Sequence, residues 1–404
     1  MGNKAIFQTK KLKYIANVLD QFRKPITADK RNQNADILYD YYGASGVIDK
    51  IDGYTIDDHV MLIGEDGANL RLRNLPLMYE VNGKAWINNH AHILKPKDGT
   101  DFYFLFYALE SIDINPYVTG SAQPKLNQEN LREIPVPFPP IAEQKRIADF
   151  LDEKCGEIDS IRSDVQREIE ILNDYKKSVI TETVTKGLNP KAKLKDSGIE
   201  WIGKIPEGWD SIKAKYLFKQ RNSRGNTIDL QLLSPSQKFG VIPQSKLEEL
   251  TTQKVVKLNE KVNLAELKTI HQGDFCISLR SFQGGFEYSE YEGVVSPAYQ
   301  VFYSIVPSCN GYYRYLFKEK SFIEKMNSFT MSLRDGKNIA FEDFANSEMP
   351  IPPLSEQKAI ADYLDEKCSE IDATIADKQK QLETLDEYKK SLIFEYVTGK
   401  KEVP

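Results

Sequence analysis

Two stretches of the chain carry apolar residues at steps of three or four positions, which is the spacing of one face of an α-helix. Asp, Glu, Lys and Gln occupy most of the positions between them, so each helix would carry a single apolar stripe. Such a stripe is typical of a coiled-coil seam, in which it packs against a partner helix. The predicted seam residues are Ile147, Leu151, Ile158, Val165, Leu172, Ile360, Leu364, Ile371, Leu382 and Leu385.

The two stretches are copies of each other. Residues 140–185 align without a gap with residues 353–398, and 27 of the 46 aligned positions are identical. A proline tract precedes each copy, and proline suits an extended approach to a first helical turn. At 1.5 Å per residue, each helix would be about 65 Å long. Because neither helix could bury its stripe alone, we predict that they pair, in antiparallel order because a large insert separates them.

The rest of the chain shows short β-like runs, such as 59–64 and 293–303, and shorter helical stretches, such as 102–109 and 311–326. We therefore predict an α+β protein in which two mixed α/β domains alternate with two long helices that pair as an antiparallel coiled coil. The predicted order is domain 1 at residues 1–139, a spacer helix at 140–186, a linker at 187–200, domain 2 at 201–352 and a second spacer helix at 353–399.

Composition and charge narrow the class of protein. The chain has 404 residues, of which 41% are hydrophobic and 28% charged, as expected for a folded globular protein. No apolar run reaches the roughly 18 residues of a membrane helix, and no secretory signal is evident, so we expect a cytoplasmic protein without membrane contact. The formal net charge is −5, but residues 1–139 carry −1 and residues 186–352 carry +4. The excess of acidic residues therefore lies in the helices, and the domains can still present local basic surfaces that bind DNA.

Catalytic motifs are scarce. We find no Walker-type phosphate loop, no glycine-rich dinucleotide motif and no Asn-Pro-Pro-aromatic loop of an adenine methyltransferase. His90 and His92 could share one face of a strand, but an ordinary pair of histidines is favoured over a metal site. Glu143 and Glu356 each begin an E-x-K pattern resembling part of a nuclease motif, yet a glutamate in a first helical turn is explained by the helix dipole. We therefore predict no catalytic residue and no metal ligand.

Several loops combine glycine with the side chains that contact base edges and phosphates. An ordinary surface loop is the alternative for each of them taken singly, but similar loops occur in both halves of the chain. The repeated Tyr-Lys-Lys-Ser of the helices, at 175–178 and 388–391, is either a solvated face or a contact to a partner or DNA. The predicted DNA-binding residues are Ser45, Arg71, Arg73, Ser121, Gln123, Lys125, Arg221, Arg224, Arg280, Gln283, Arg334, Lys337 and Asn338.

The segments 119–127, 134–145, 196–209 and 349–358 resemble the specificity (S) subunit of type I restriction-modification systems, and the similarity covers the whole chain. The Ile-Glu-Trp-Ile-Gly tract at 199–203 has no counterpart before Lys11, so the start of domain 1 is less sharply defined.

The resemblance implies a non-catalytic subunit in which each domain recognises one half of a bipartite target in double-stranded DNA. The helix pair would set the spacing and bind two methyltransferase (M) subunits, and restriction (R) subunits would complete the assembly. Those partners would bind S-adenosylmethionine, ATP and Mg²⁺, and this chain would bind no cofactor. The alternative is a coiled-coil adaptor that binds only proteins, and a nuclease using the E-x-K turns is a third hypothesis.

Overall fold

The computed structural model describes residues 7–31, 36–224, 230–251, 266–278, 285–329 and 339–404. The chain divides into two compact units. Unit 1 comprises residues 1–167 and 378–404, and unit 2 comprises residues 168–377. The boundary between the units falls within both long helices, so each unit contains one globular domain and a part of each helix.

Unit 1 contains a six-stranded sheet, flanking short helices and the first part of a long helix. Its strands are β1 (Thr9–Lys11), β2 (Ala16–Val18), β3 (Tyr39–Gly43), β4 (Gly46–Ile51), β5 (Ile56–Gly64), β6 (Met78–Ile87), β7 (Ala91–Pro96) and β8 (Pro135–Pro137). Its helices are α1 (Leu12–Ile15), α2 (Asn69–Leu72), α3 (Phe102–Ser111), α4 (Gln128–Glu133) and the long α5 (Ile141–Lys186), which continues into unit 2.

The sheet of unit 1 has the order β2-β7-β5-β6-β3-β4, and β1 pairs separately with β8. Neighbouring strands are antiparallel except β3 and β6, which are parallel. Alternation along β5 separates two apolar clusters, because successive side chains of a strand point to opposite faces. Met61 and Ile63 join the core beside α3, whereas Val60 and Leu62 form a second cluster.

Unit 2 is built from shorter strands. They are β9 (Leu194–Asp196), β10 (Lys204–Pro206), β11 (Asp210–Lys213), β12 (Phe218–Arg221), β13 (Leu233–Ser236), β14 (Gly240–Pro243), β15 (Lys268–Ile270), β16 (Phe275–Ile277), β17 (Phe286–Tyr288), β18 (Gly293–Val295), β19 (Gln300–Ser304) and β20 (Glu348–Ile351). The helices are α6 (Gln244–Thr251), α7 (Asn310–Leu316), α8 (Lys320–Ser328), α9 (Phe341–Asn346) and the long α10 (Leu354–Val397), which continues into unit 1.

The core of unit 2 is aromatic. A four-stranded sheet of order β12-β19-β16-β17 carries Phe218, Phe275 and Phe302, which are almost fully buried. Phe317 and Phe344 pack against them at ring-centroid distances of 4.9 to 6.0 Å. Large rigid rings bury much apolar area per residue, so this core holds together despite its short strands.

Within each unit the two long helices run antiparallel. In unit 1 the ammonium of Lys389 lies 2.7 Å from the Asp159 carboxylate, and in unit 2 that of Lys176 lies 2.6 Å from Asp372. The two ion pairs are equivalent through the internal repeat, since Asp159 aligns with Asp372 and Lys176 with Lys389. The predicted fold class, two mixed α/β domains alternating with two paired long helices, is confirmed.

The predicted seam residues differ in their burial. Those buried among other side chains are Ile147, Leu151, Ile158, Val165, Ile360, Leu364 and Ile371. Leu172, Leu382 and Leu385 are half-buried. Leu172 and Leu385 are equivalent positions of the repeat, so both copies have a more open seam at the same place.

A glutamine at the start of each long helix joins that helix to its domain. Gln144 is fully buried, donates to the carbonyl of Pro139 at 2.8 Å and accepts from the backbone N–H of Asp101 at 2.9 Å. Its counterpart Gln357 donates to the corresponding proline carbonyl at 2.8 Å and accepts from the backbone N–H of Cys309 at 2.9 Å. Asp101 and Cys309 are the residues that precede α3 and α7, so the same bond orients a domain helix in both units.

A tyrosine–aspartate pair repeats in the same way. The hydroxyl of Tyr107 donates to Asp152 at 2.7 Å, and that of Tyr315 donates to Asp365 at 2.6 Å. Burial, followed by the bond to the carboxylate, raises the pKa of both phenols. Both hydroxyls therefore stay protonated donors, and the scaffold that holds each domain on its helix is chemically the same.

Three local expectations differ from the structure. The helix expected at 311–326 is two helices, because the side chain of Glu319 accepts from the N–H of Phe322 at 2.8 Å and begins α8. The run at 293–303 forms two strands separated at Ser296 and Pro297, since proline has no N–H for a ladder. The segment 187–200, expected as a linker, contains strand β9, which pairs with β10.

Candidate nucleic-acid interface

The 119–125 loop of unit 1 is a closed surface loop. Thr119 and Lys125 exchange two backbone hydrogen bonds of 2.8 Å, which join its ends. Gly120 has φ of +78°, and a Cβ there would lie 2.4 Å from the carbonyl oxygen of Gln123, so the turn requires glycine. Ser121 and Gln123 are exposed at the tip. The loop therefore presents two hydrogen-bonding side chains on a fixed frame.

Glu65, the residue that follows β5, holds the C-terminal side of this loop. Its carboxylate accepts from the ammonium of Lys125 at 3.0 Å and from the guanidinium of Arg23. Its backbone carbonyl accepts from the N–H of Leu126 at 2.7 Å. Burial raises the pKa of the Glu65 carboxyl, but the bonds from Arg23 and Lys125 outweigh it, so the net shift is downward. The carboxylate is thus charged at neutral pH and anchors two cations.

His92, in β7, lies beneath the same loop and is 1% exposed. Its Nδ1 is 2.6 Å from a carboxylate oxygen of Asp20, and its Nε2 is 2.7 Å from the carbonyl oxygen of Leu126. The Asp20 carboxylate also accepts from the backbone N–H of Ile93 at 3.1 Å and from the side-chain amide of Gln128 at 3.0 Å. Although burial raises the pKa of Asp20, the interactions with His92 lower it overall.

Arg71 lies on α2 beside this loop. Its guanidinium donates to the carbonyls of Val118 at 3.2 Å and Gly120 at 3.3 Å, so it tethers the N-terminal side of the loop. Ser45 is exposed in the turn between β3 and β4, and none of the described contacts joins it to the loop. Of the residues predicted in domain 1, the structure thus brings together Arg71 with Ser121, Gln123 and Lys125.

Arg73 faces a different part of unit 1. It adopts φ of +51°, and its guanidinium donates to the carbonyl of Ile112 at 3.0 Å and to that of Glu110. These carbonyls lie at the C-terminal end of α3, where cations are favourable. The Glu110 carboxylate in turn accepts from the backbone N–H groups of Leu77 and Met78 at 2.9 and 2.8 Å. Arg73 therefore closes the end of a helix.

The two histidines considered as metal ligands have separate partners. His90 places Nδ1 2.7 Å from the carboxylate of Asp66, whereas His92 contacts Asp20. Within the described ranges, no group of three or more His, Cys, Asp or Glu side chains is arranged to hold a metal ion.

In unit 2, Arg221 ends the edge strand β12. Its Nε and one terminal nitrogen donate to the two carboxylate oxygens of Asp274 at 2.7 and 3.0 Å. The guanidinium carbon lies 4.3 Å from the ring centroid of Tyr303. Asp274 is 3% exposed and also accepts from the backbone N–H of His271 at 3.0 Å. A bidentate ion pair combined with ring stacking fixes the guanidinium plane, while the side chain remains 22% exposed.

Arg224 is exposed three residues further on and forms an isolated β-bridge with Lys268. The ammonium of Lys268 donates to the carbonyl of Tyr299 at 2.7 Å. Burial lowers the pKa of Lys268, and the charge of Arg224 lowers it further. Arg224 and Lys268 therefore lie side by side, and Arg221 precedes Arg224 by three residues in the chain.

The remaining predicted DNA-binding residues lie outside the described residues. They are Arg280, Gln283, Arg334, Lys337 and Asn338.

Sequence reasoning missed the acidic residues that orient these basic groups. Asp20 is 72 residues from His92 in the chain, and Asp274 is 53 residues from Arg221. Neither aspartate stands in a polar motif of its own, and no local pattern signals the pairings.

Comparison with known proteins identifies the family. The family model described as "Type I restriction modification DNA specificity domain" matches residues 6–170 and 206–384. The chain belongs to this family. Two domains of the family are therefore present in tandem, as the internal repeat indicates.

Relatives support the assignment along different parts of the chain. A Haemophilus influenzae protein named as a type I restriction enzyme specificity subunit is 34% identical over 143 residues, which is 35% of this chain and 36% of that protein. The Methanocaldococcus jannaschii type I restriction enzyme MjaVIII specificity subunit is 26% identical over 326 residues, covering 74% of this chain and 70% of that one.

A solved structure shares the fold. Its description refers to complex assembly and conformational transition of the type I R-M system. The matching chain gives a TM-score of 0.67 at 13% sequence identity. The match covers 99% of this chain and 100% of that one. In the described part of this specificity-family chain, no helix combines the length and apolar content that crossing a membrane requires.

Proposed function

We propose that this chain is the DNA-specificity subunit of a type I restriction-modification complex and that each unit recognises one half of a bipartite target. The observation that carries the proposal is a repeated scaffold with different polar surfaces on it. Gln144 and Gln357 make the same two bonds in their units, yet the exposed polar groups nearby differ in sequence. A scaffold built twice for two different surfaces suits a target with two unlike halves.

In unit 1 the proposed DNA-contacting surface is the 119–125 loop with Arg71. Ser121 and Gln123 can donate to and accept from base edges, and Lys125 can reach a phosphate. The loop is closed by its own backbone bonds and anchored by Glu65, so little ordering entropy would be lost on binding.

In unit 2 the proposed surface is the edge around Arg221 and Arg224. An arginine whose plane is fixed by Asp274 and Tyr303 can present its remaining N–H groups to acceptors in a groove. Asp274 balances the charge of Arg221 but leaves part of the guanidinium exposed, so the pair can donate hydrogen bonds to acceptors on base edges.

The helices supply length and docking surface. A helix of 46 residues such as α5 is about 69 Å long, which exceeds the roughly 34–36 Å between half-sites one DNA turn apart. The Tyr-Lys-Lys-Ser segments at 175–178 and 388–391 occur once on each helix, and Tyr175 and Tyr388 are 49% and 56% exposed. A surface present twice suits two copies of one partner, so we assign it to the two M subunits.

Catalysis and cofactors belong to the partners in this proposal. Methylation of adenine with S-adenosylmethionine is assigned to the M subunits, and ATP- and Mg²⁺-dependent cleavage to R subunits. This chain supplies recognition and assembly and no catalytic residue.

The test uses the full chain assembled with its M subunits. Selection from random duplexes should enrich one bipartite sequence with two fixed blocks and a spacer of constant length. The affinity for the selected duplex should fall steeply with salt, because phosphate contacts release counterions. Enrichment of no sequence, or weak and salt-insensitive binding, would contradict the proposal and favour a coiled-coil adaptor that binds only proteins.

A further inference from the structure

The guanidinium of Arg221 has hydrogen-bond donors on two separate edges of one planar group. Its five N–H groups form a fixed fork. Asp274 occupies the side edge, where Nε and Nη2 donate to its two carboxylate oxygens at 2.7 and 3.0 Å. One N–H of Nη1 and one of Nη2 then point away from the chain, parallel to each other, at the far edge of the group. Within the described part of the chain, no acceptor contacts Nη1 of Arg221.

The orientation of this far edge is fixed by neighbouring residues. The ring centroid of Tyr303 lies 4.3 Å from the guanidinium carbon, which limits the tilt of the plane. The side chain of Asp274 is 4% exposed and accepts from the backbone N–H of His271 at 3.0 Å, so the carboxylate is itself held in place. Because the Arg221 side chain is already ordered and remains 22% exposed, little side-chain entropy would be lost when it binds a ligand.

The ion pair also makes phosphate an unfavourable ligand for the far edge. Asp274 balances the charge of Arg221, and a phosphate bound to the far edge would be repelled by the Asp274 carboxylate. Arg224 differs, because it is exposed and no carboxylate of the described residues forms an ion pair with it. A neutral ligand with two adjacent acceptors therefore suits Arg221, whereas a phosphate suits Arg224.

The four bases differ in what they offer to such a pair of donors. In the major groove, guanine presents two adjacent acceptors, O6 and N7. Adenine combines one acceptor with an amino donor, thymine has the single acceptor O4, and cytosine has an amino donor. Two parallel N–H groups on one rigid edge thus match the edge of guanine and of no other single base.

We propose that Arg221 is a specificity-determining residue that recognises a guanine in the half of the target contacted by unit 2. The far edge of its guanidinium donates to O6 and N7, while Asp274 and Tyr303 act as positioning residues that contact no DNA. The inference rests on the proposed function of this surface and goes beyond it, because it assigns one base to one side chain.

Modified DNA tests this assignment without any change to the protein. Replacing guanines one at a time with 7-deazaguanine removes the N7 acceptor and leaves Watson–Crick pairing intact. The complex of the full chain with its M subunits should bind the selected duplex about tenfold more weakly when the guanine contacted by Arg221 is replaced. Equal affinity for every substituted duplex, or a selected target without guanine, would overturn the proposal.

Arg221→Lys then shows which sensitive guanine belongs to unit 2. Lysine keeps a positive charge beside Asp274 but has no second edge with parallel donors. Selection with the variant complex should relax one guanine position, lowering its preference over the other bases by about tenfold or more, and leave the remaining bases and the spacer unchanged. Substitution with 7-deazaguanine at that position should no longer matter, and an unchanged base preference would overturn the proposal.

Hydrogen exchange in β12 and β19 of the variant shows whether the fold of unit 2 is kept. Rates equal to those of the natural chain assign the altered preference to the lost contact. If exchange is faster, the 7-deazaguanine scan of the natural complex decides the question.

Arg224→Gln is the matched control, because it removes an exposed arginine three residues away. It should weaken binding to all duplexes alike and reduce the slope of log affinity against log salt by about one, with the base preference unchanged. If Arg221→Lys gives this uniform pattern instead, Arg221 contacts phosphate and the proposal is overturned. A selected target that tolerates every 7-deazaguanine overturns the Arg221 assignment alone, whereas selection of no sequence would contradict the proposed function as well.

Discussion

Gln144 offers the sharpest test of how a domain is held on its helix. In Gln144→Leu the side-chain volume is roughly kept and the amide is lost. The N–H of Asp101 and the carbonyl of Pro139 then lose partners at 2.9 and 2.8 Å in a site from which water is excluded. An unsatisfied buried group costs about 1–3 kcal/mol, so two of them cost about 2–6 kcal/mol, less a partial gain from burying leucine.

Hydrogen exchange followed by mass spectrometry is the suitable assay, because a chain of two units does not have one well-defined unfolding free energy. Peptides from α3 and from the start of α5 should exchange at least about thirtyfold faster, which corresponds to about 2 kcal/mol. Gln357→Leu should produce the same change at α7 and the start of α10 in unit 2.

The control is Gln166→Leu, which changes an exposed glutamine of the same helix. Its effect should stay within about 0.5 kcal/mol. If Gln144→Leu behaves like Gln166→Leu, the buried amide does not hold α3 on the helix, and the two glutamines do not form a repeated scaffold.

Three further outcomes follow from burial and charge. Leu151→Asp should destabilise unit 1 by at least about 4 kcal/mol in the same exchange experiment, because it places a charge in the apolar seam. Ile171→Asp should have little effect, since the side chain of Ile171 is 60% exposed. Hydrogen bonds from Lys11 in β1 and Lys13 in α1 lower the pKa of Glu133 to about 2. The stability that these bonds give unit 1 should be complete above the unfolded carboxyl pKa of about 4.3 and should be lost as the pH falls toward 2. An NMR titration of the Glu133 carboxyl with an ordinary midpoint would contradict this. Burial raises the pKa of the Cys155 thiol to about 11. A thiol reagent at mildly alkaline pH should therefore label the partly exposed Cys309 before Cys155. Equal labelling rates for the two thiols would argue against the packing of α5.

The long helices could be predicted from the sequence because their signal is repeated many times. Apolar positions recur along α5 and α10, and the two copies agree with each other, so errors at single positions do not matter. Short elements lack this redundancy. The apolar stretch 311–326 fits one helix, yet buried Glu319 turns its carboxylate onto the backbone and starts a second one.

The candidate site was predictable only in part. Composition and glycine placement mark the 119–125 loop, because Gly120 and polar neighbours are visible in the sequence. The residues that give this loop its geometry come from distant positions, since Asp20, Glu65 and His92 meet only after the sheet has formed. Arg73 was predicted from the sequence to bind DNA, because it lies in a polar loop. Its guanidinium instead donates to backbone carbonyls at the C-terminal end of α3.

The most direct test of the central claim is to sequence DNA methylation in cells that carry this chain with its M subunits, comparing the natural chain with a variant altered only at Ser121 and Gln123. If each unit recognises one half of the target, the variant should relax or change bases in a single block of the methylated sequence and leave the other block and the spacer length intact. Methylation changed in both blocks at once, or an unaltered target despite the loss of both side chains, would contradict the account.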